Sequence, residues 1–315
     1  MSLTVALQID PLDQLSWATD SGLLLAAEAE KRGSRLFAYQ AERLSWQPGV
    51  LSVPARPISR LRPPSAEHEV GPESLLDLTS VDVILIRQDP PVDIPYLTAT
   101  WLLELAGSSV LVVNDPRGVR DTPEKLIVQR FPDLAPPTLI TRDLQAIADF
   151  REVHGEVVLK PLYGFGGHGV FHLKPEDDNA AALIEMMLAN SRDPLIVQRY
   201  LPEVREGDKR IILIEGEPVG AISRIPPARD FRANIRIRAD VKAAPLTPRD
   251  RAICAALAPW LQEHGIVLAG IDVVGDWLLE VNVTSPSCLA ELHTLTGINA
   301  AALFWDAVEA RLRGR

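Results

Sequence analysis

The sequence predicts an α/β and α+β protein: a doubly wound parallel sheet at the amino end, followed by two α+β units. Three observations carry this. Short apolar runs alternate with helix-like segments through residue 113, the pattern of a parallel sheet with helical crossovers. An apolar run at 157–160 delivers Lys160, and a loop with Gly164, Gly166, Gly167 and Gly169 follows before the chain turns apolar at Val170. The stretch 270–286, GIDVVGDWLLEVNVTSP, reads as a second hairpin whose two strands carry two acids and an amide. The expected units are 1–119, 120–200 and 201–315.

In order, residues 3–9 form a strand ending in Asp10-Pro11. Residues 21–32 have helical composition, with Gly33 at the expected stop, and 35–39 form a second strand. Six prolines between 48 and 72 with little periodicity predict an exposed, irregular connection. Residues 81–86 are a buried strand leading into Arg87-Gln88-Asp89-Pro90-Pro91. Residues 95–107 are a helix with Pro95 in its first turn, and 110–113 a strand ending at Asn114-Asp115. Ligands bind beyond the carboxyl ends of such strands, where Asp10, Arg87, Asp89 and Asn114 fall. Arg87, directly after the run VDVILI, needs an anionic partner.

Thr122 or Asp121 is expected to cap a helix beginning at Pro123, placing Lys125 in the first turn against the helix dipole. Residues 138–140 are a strand, 143–154 a helix, 157–171 the glycine hairpin, 176–191 a helix and 194–199 a strand. The 195–201 segment, LIVQRYL, can offer backbone groups to a flat heterocycle. Residues 206–210 read as a polar turn into a strand at 211–214, with 215–217 as a hairpin turn and 218–224 returning. Nine basic residues between Arg199 and Arg238 point to an anionic ligand or to a solvated basic face. Thr247-Pro248 starts a helix to His264.

In the last hairpin Glu280 and Asn282 share one strand face. Asp272 joins that face if the hairpin loop has an odd number of residues, and the reading expects that it does. Two acids and an amide are hard oxygen ligands of the kind Mg²⁺ prefers. No His/Cys spacing indicates zinc.

Bulk properties limit the partners. The chain has 315 residues, 47% apolar, with a formal charge of 32 − 42 = −10, which argues against nucleic acid. No apolar run approaches the roughly 20 residues of a membrane span. The start, MSLTVALQIDP, lacks signal-peptide features, and two cysteines make no disulfide framework, so a cytoplasmic protein is expected.

The order of motifs resembles the ATP-grasp ligases and, within them, the prokaryotic glutathione synthetase family, over essentially the whole chain. The motifs are Asp10-Pro11, RQDPPVD at 87–93, NDPRGVRDTPEKL at 114–126, VLKPLYGFGG at 158–167, QRYLP at 198–202, GDKR at 207–210, GEPV at 216–219, SRIP at 223–226 and LEVNVTSPSC at 279–288. The resemblance implies an ATP-grasp fold with an N-terminal pre-ATP-grasp domain. It implies ATP phosphates on Lys125 and Lys160 under a lid containing Gly166 and Gly167. Gln198, Arg199, Tyr200 and Leu201 would line the adenine pocket, with Asp208 on the ribose. Asp272, Glu280 and Asn282 would carry Mg²⁺, with Mn²⁺ as a substitute. Arg210 and Arg224, with Asn234, would serve catalysis. Arg87, Asp10, Arg210, Arg224 and Ser285 would bind substrate. The implied reaction joins γ-glutamylcysteine and glycine through an acyl phosphate, in a homo-oligomer that relatives suggest is a tetramer.

One departure stands out. The family's flexible glycine-rich loop corresponds to RIPPARDFRANIRIRADVKAAP at 224–245, and no glycine lies between Gly220 and Gly265. Arg232-Ala233-Asn234 is kept, but Arg236, Ile237, Arg238 and Ala239 stand where glycines are usual. This leaves open a related ligase with another amine acceptor or carboxylate donor, or a nucleotide-binding regulatory protein. Cys254 and Cys288 are expected to pack rather than to act as nucleophiles.

Overall fold

The computed structural model describes residues 2–227, 230, 232 and 240–315. Asn234 and most of the glycine-poor loop lie outside them. The amino-terminal unit comprises β1 (Thr4–Gln8), α1 (Ser21–Lys31), β2 (Arg35–Tyr39), β3 (Ser45–Gln47), β4 (Val50–Ser59), β5 (Glu69–Val70), β6 (Ser74–Asp77), β7 (Val83–Ile86), α2 (Ile94–Glu104), β8 (Leu111–Val113) and α3 (Pro116–Asp121). Strands β2-β1-β7-β8 run parallel, as expected from their apolar runs. Asp20 caps α1 by accepting from Leu23 N (2.8 Å), and Gly33 ends that segment with φ +88°.

The 48–72 stretch departs from expectation. It contains the ten-residue β4, which pairs antiparallel with β2, β3, β5 and β6 and makes the sheet mixed. Leu51, Val53 and Ala55 alternate into the core, so a period of two was present beneath the prolines. The expected helix after Thr122 is also absent. Asp115 caps the preceding helix instead, accepting from Arg117 N and Gly118 N with Pro116 at its start, and Thr122 ends it. Lys125 therefore sits in an irregular segment between two short helices.

The middle unit holds β9 (Thr138–Thr141), α4 (Leu144–His154), β10 (Val157–Pro161), β11 (Phe171–Leu173), α5 (Ala180–Asn190) and β12 (Leu195–Arg199). Its antiparallel sheet, in the order β11-β10-β12-β9, packs Val157, Leu159, Leu173 and Val197 against Ile147 of α4 and Ile184 of α5. The helix expected from 176 begins at Ala180, because Asp177 first closes a turn by accepting from Lys174 N.

The last unit holds β13 (Asp208–Ile214), β14 (Glu217–Ile225), β15 (Asp240–Ala243), α6 (Pro248–Glu263), β16 (Leu268–Val274), β17 (Trp277–Asn282), α7 (Leu289–Thr296) and α8 (Ala300–Arg313). The sheet order is β15-β14-β13-β16-β17, all antiparallel. Residues 208–210, read as a turn, are the first residues of β13, which carries Arg210 inside the sheet. Thr247 and Asp250 form a reciprocal cap at α6. Among the described residues no helix is long and apolar enough to cross a membrane.

First and last units share a core. Trp305 of α8 is fully buried and donates from Nε1 to Leu25 O (2.7 Å). Asn114, at the end of β8, is a staple between sheets. Its amide donates to Leu268 O (2.8 Å) and Val283 O (2.7 Å) and accepts from Val267 N (2.9 Å) and Leu268 N (3.0 Å). A buried donor or acceptor left without a partner costs about 1–3 kcal/mol. Asn114→Ala should therefore destabilise by at least about 3 kcal/mol in urea unfolding, far more than an exposed Asn→Ala change.

Candidate active site

A cavity of about 480 Å³ opens where the three units meet. The middle unit contributes Lys160 and the glycine flap. Lys160 closes β10 and donates to Gln198 Oε1 on the neighbouring β12 (3.3 Å), while Gln198 donates to Thr138 Oγ1 (2.8 Å). Gly166 and Gly167 take φ of +63° and +79°, so the turn needs residues without a Cβ. Lys125 enters from the other side and donates to Gly164 O of the flap (2.6 Å). Its ammonium lies 3.5 Å from both Glu124 and Glu280. Burial would lower Lys125, but the two carboxylates outweigh it and the pKa is raised. Lys160 is lowered by burial, which Glu280 offsets only in part.

The floor is a buried ion cluster. Arg210 of β13 lies opposite Asp272 of β16 and grips it through Nε–Oδ1 (2.5 Å) and Nη2–Oδ2 (3.0 Å). Arg224 of β14 reaches Asp272 Oδ1 (3.0 Å) and Asp208 Oδ2 (2.5 Å). Burial alone would raise Asp272, yet the two guanidiniums hold it at about 2. Burial pushes Asp208 up to about 7 against the pull of Arg224. Asp208 Oδ1 and Arg224 Nε are buried without a hydrogen-bond partner.

Asp272 faces Glu280 across the β16–β17 hairpin, but not through an odd loop. The turn is the two residues 275–276, and a bulge between the Val273↔Leu278 and Asp272↔Glu280 pairs supplies the odd residue. Asp272, Glu280 and Asn282 all line the cavity, and Asn282 donates to Gly270 O (3.1 Å).

Arg87 lines the cavity too. It donates from Nη2 to Pro286 O (3.0 Å), its buried Nε lacks a hydrogen-bond partner, and burial lowers its pKa. Ser285 donates to Asp89 Oδ1 (2.7 Å), and Asp10 accepts from Asp89 N (2.8 Å). Asp10 itself faces a separate cavity of about 550 Å³ beside β1 and β2, and so acts on the main one through Asp89. Of the expected adenine residues only Gln198 lines the main cavity. Arg199 lies over Trp277 (5.5 Å), Tyr200 stacks on His172 (3.8 Å), and Leu201 is buried. Arg232, next to the undescribed loop residues, donates to Gly167 O (3.1 Å). Glu124 and Glu291 also line the cavity and were not singled out from sequence. Glu124 was signalled only by adjacency to Lys125, and Glu291 by nothing local.

Two family models cover nearly the whole chain: "Prokaryotic glutathione synthetase, N-terminal domain" at 3–120 and "Prokaryotic glutathione synthetase, ATP-grasp domain" at 124–297. The chain belongs to the prokaryotic glutathione synthetase family. The glutathione synthetase of Brucella melitensis is 49% identical over 311 residues, covering 99% of this chain and 100% of that one. That of Pseudomonas syringae pv. tomato is 38% identical over 317 residues, covering 100% and 99%. The D-cycloserine synthetase DcsG has the same fold, with a TM-score of 0.69 at 18% identity over 98% and 99% of the two chains. So has D-alanyl-alanine synthetase A of Vibrio cholerae, at 0.62 and 15% over 99% and 98%. The fold is ATP-grasp with an additional N-terminal unit.

Removing one partner of a buried ion pair costs about 3–5 kcal/mol, because a charge is left uncompensated. Asp272→Ala should lose about that much stability in urea. Asp272 is depressed below its unfolded value of 3.8, so its contribution is complete above that value and drains away toward about pH 2. The stability gap between wild type and Asp272→Asn should accordingly close between about pH 5 and about pH 2, a series of urea midpoints being the check.

Proposed function

We propose that this chain joins γ-glutamylcysteine to glycine, forming glutathione, ADP and phosphate. Full-length kinship at up to 49% identity carries the reading among the relatives compared. The cavity supports it, with Lys160 and a glycine flap on one side, Lys125 reaching in from the other, and two arginines with an acid–acid–amide set below them. In the first step the cysteinyl carboxylate attacks the γ-phosphorus of ATP and ADP departs. Lys125, Lys160 and the flap N–H groups would neutralise phosphate oxygens, and Arg210 and Arg224 would do so for the carboxylate and the acyl phosphate. In the second step the glycine amine attacks the acyl carbonyl, the C–N bond forms, and phosphate leaves.

The donor set fits a hard divalent cation. It is all oxygen, with Asp272 opposite Glu280, Asn282 on the same strand, and an unpartnered Asp208 oxygen within the same ion cluster. Asp272, Glu280 and Asn282 would hold Mg²⁺, or Mn²⁺ in its place. The bound ion supplies charge neutralisation across the transferring phosphoryl oxygens. Asn234 would act from the loop. We also propose a homo-oligomer, tested by light scattering, and a cytoplasmic location, where ATP is at hand.

The glycine-poor 226–245 segment favours a second reading, the same chemistry with another amine. Phosphate release with each component omitted in turn separates the two. Release requiring both γ-glutamylcysteine and glycine, with glutathione identified by mass spectrometry, is the expected outcome. Release indifferent to glycine selects the second reading, and no release with retained ATP binding refutes both. Glu280→Gln should lower turnover by about 100-fold or more, and it should lower the urea midpoint as well, because buried Lys125 loses the stronger of its two carboxylate partners.

A further inference from the structure

Glycine reaches the enzyme as an ammonium ion, with no lone pair to attack with. Something in the cavity must attract that cation and take its proton. A carboxylate is best placed to do both when no other side chain's cation and no helix cap already holds it.

The carboxylates lining the cavity differ in this respect. Asp272 and Asp208 are held by Arg210 and Arg224. Glu124 and Glu280 flank Lys125 at 3.5 Å. Asp20 caps α1 through Leu23 N, and Asp89 accepts from Ser285. Glu291 is different: its own backbone N–H is the one main-chain group that acts on the carboxylate, its Oε2 is buried with no hydrogen-bond partner, and among the described residues it makes no ion pair. Arg210, which acts on it electrostatically, is already engaged by Asp272. Glu291 stands in the first turn of α7, three residues beyond Cys288, on the wall that also presents Ser285, Ser287 and Arg210.

We propose that Glu291 is a catalytic residue of the second step: its carboxylate binds the ammonium of the acceptor amine and takes the proton that frees the nitrogen lone pair. The inference rests on the ligase reading above. The ammonium gives one proton to Glu291 Oε2, and the freed amine attacks the acyl carbonyl. The C–N bond forms as the C–O bond to phosphorus breaks, its electron pair leaving with phosphate. The second nitrogen proton passes to the departing phosphate, and Glu291 returns its own to solvent as product leaves. Burial raises the carboxyl above the ordinary glutamate value, which strengthens it as a proton acceptor.

The test uses the full chain with Glu291→Gln and Glu291→Asp, and two acceptors. Glycine needs an ammonium site and a base. Hydroxylamine, uncharged near neutral pH, traps the acyl phosphate as a hydroxamate without either. For Glu291→Gln, kcat/KM for glycine should fall by about 100-fold or more, with Glu291→Asp recovering part of the loss. Hydroxamate formation, and calorimetric binding of AMP-PNP and γ-glutamylcysteine, should stay within about twofold of wild type. The proposal is overturned if glycine kcat/KM stays within twofold, if hydroxamate formation falls in parallel, or if KM for γ-glutamylcysteine rises instead. A wild-type protein that makes no glutathione would sink the ligase reading. One that does, beside an indifferent Glu291→Gln, would sink this inference alone.

Discussion

The site depends on four charges sealed inside one antiparallel sheet. Asp208, Arg210, Arg224 and Asp272 come from three neighbouring strands, and their nominal charges sum to zero. Sequestering any one alone would be prohibitive, so each is tolerable because the others are there. That requirement fixes the register of β13 against β14 and β16, since a one-residue slip would turn Arg210 or Asp272 to the opposite face. The bulge in β17 then sets Glu280 opposite Asp272 despite a turn of even length. Sheet register and site geometry are thus one constraint.

Across the cavity, the second set of charges is arranged differently. Lys160 closes β10, Lys125 comes from the irregular segment after α3, and the tie between Lys125 and the flap is a hydrogen bond to the Gly164 carbonyl. Two carboxylates raise one lysine while burial lowers the other, so the two sit in opposite electrostatic surroundings. A phosphate arriving between them would favour the charged form of both.

Much of this was legible in the chain. Continuous apolar runs announced the buried parallel strands, and Lys160 before four glycines announced the flap, because both signals are local. Strand β4 was hidden since its prolines look like loop chemistry, while the alternation of Leu51, Val53 and Ala55 needed the tertiary sheet to acquire meaning. The capping signal was read one helix late: Asp115-Pro116 and Thr122-Pro123 look alike, and only packing chooses between them. The Arg210–Asp272 pairing spans 62 residues and follows from strand order, which no local pattern states. Glu291 was invisible for a related reason. A carboxylate oxygen lacking a partner is recognisable only once the partners of all the others are known.

The staple at Asn114 bears on how the chain divides. Its side chain ties the end of β8 to the start of β16 and to Val283, and main-chain bonds from Val281 N to Glu124 O and Asp115 N to Gly265 O run beside it. The border near residue 119 is thus a border in topology and not in cohesion. Excising the amino-terminal unit would strip satisfied polar groups from the sheet that holds the ion cluster and uncover the face of α8 that packs on α1. First and last units form one chassis, and the middle sheet keeps a core of its own.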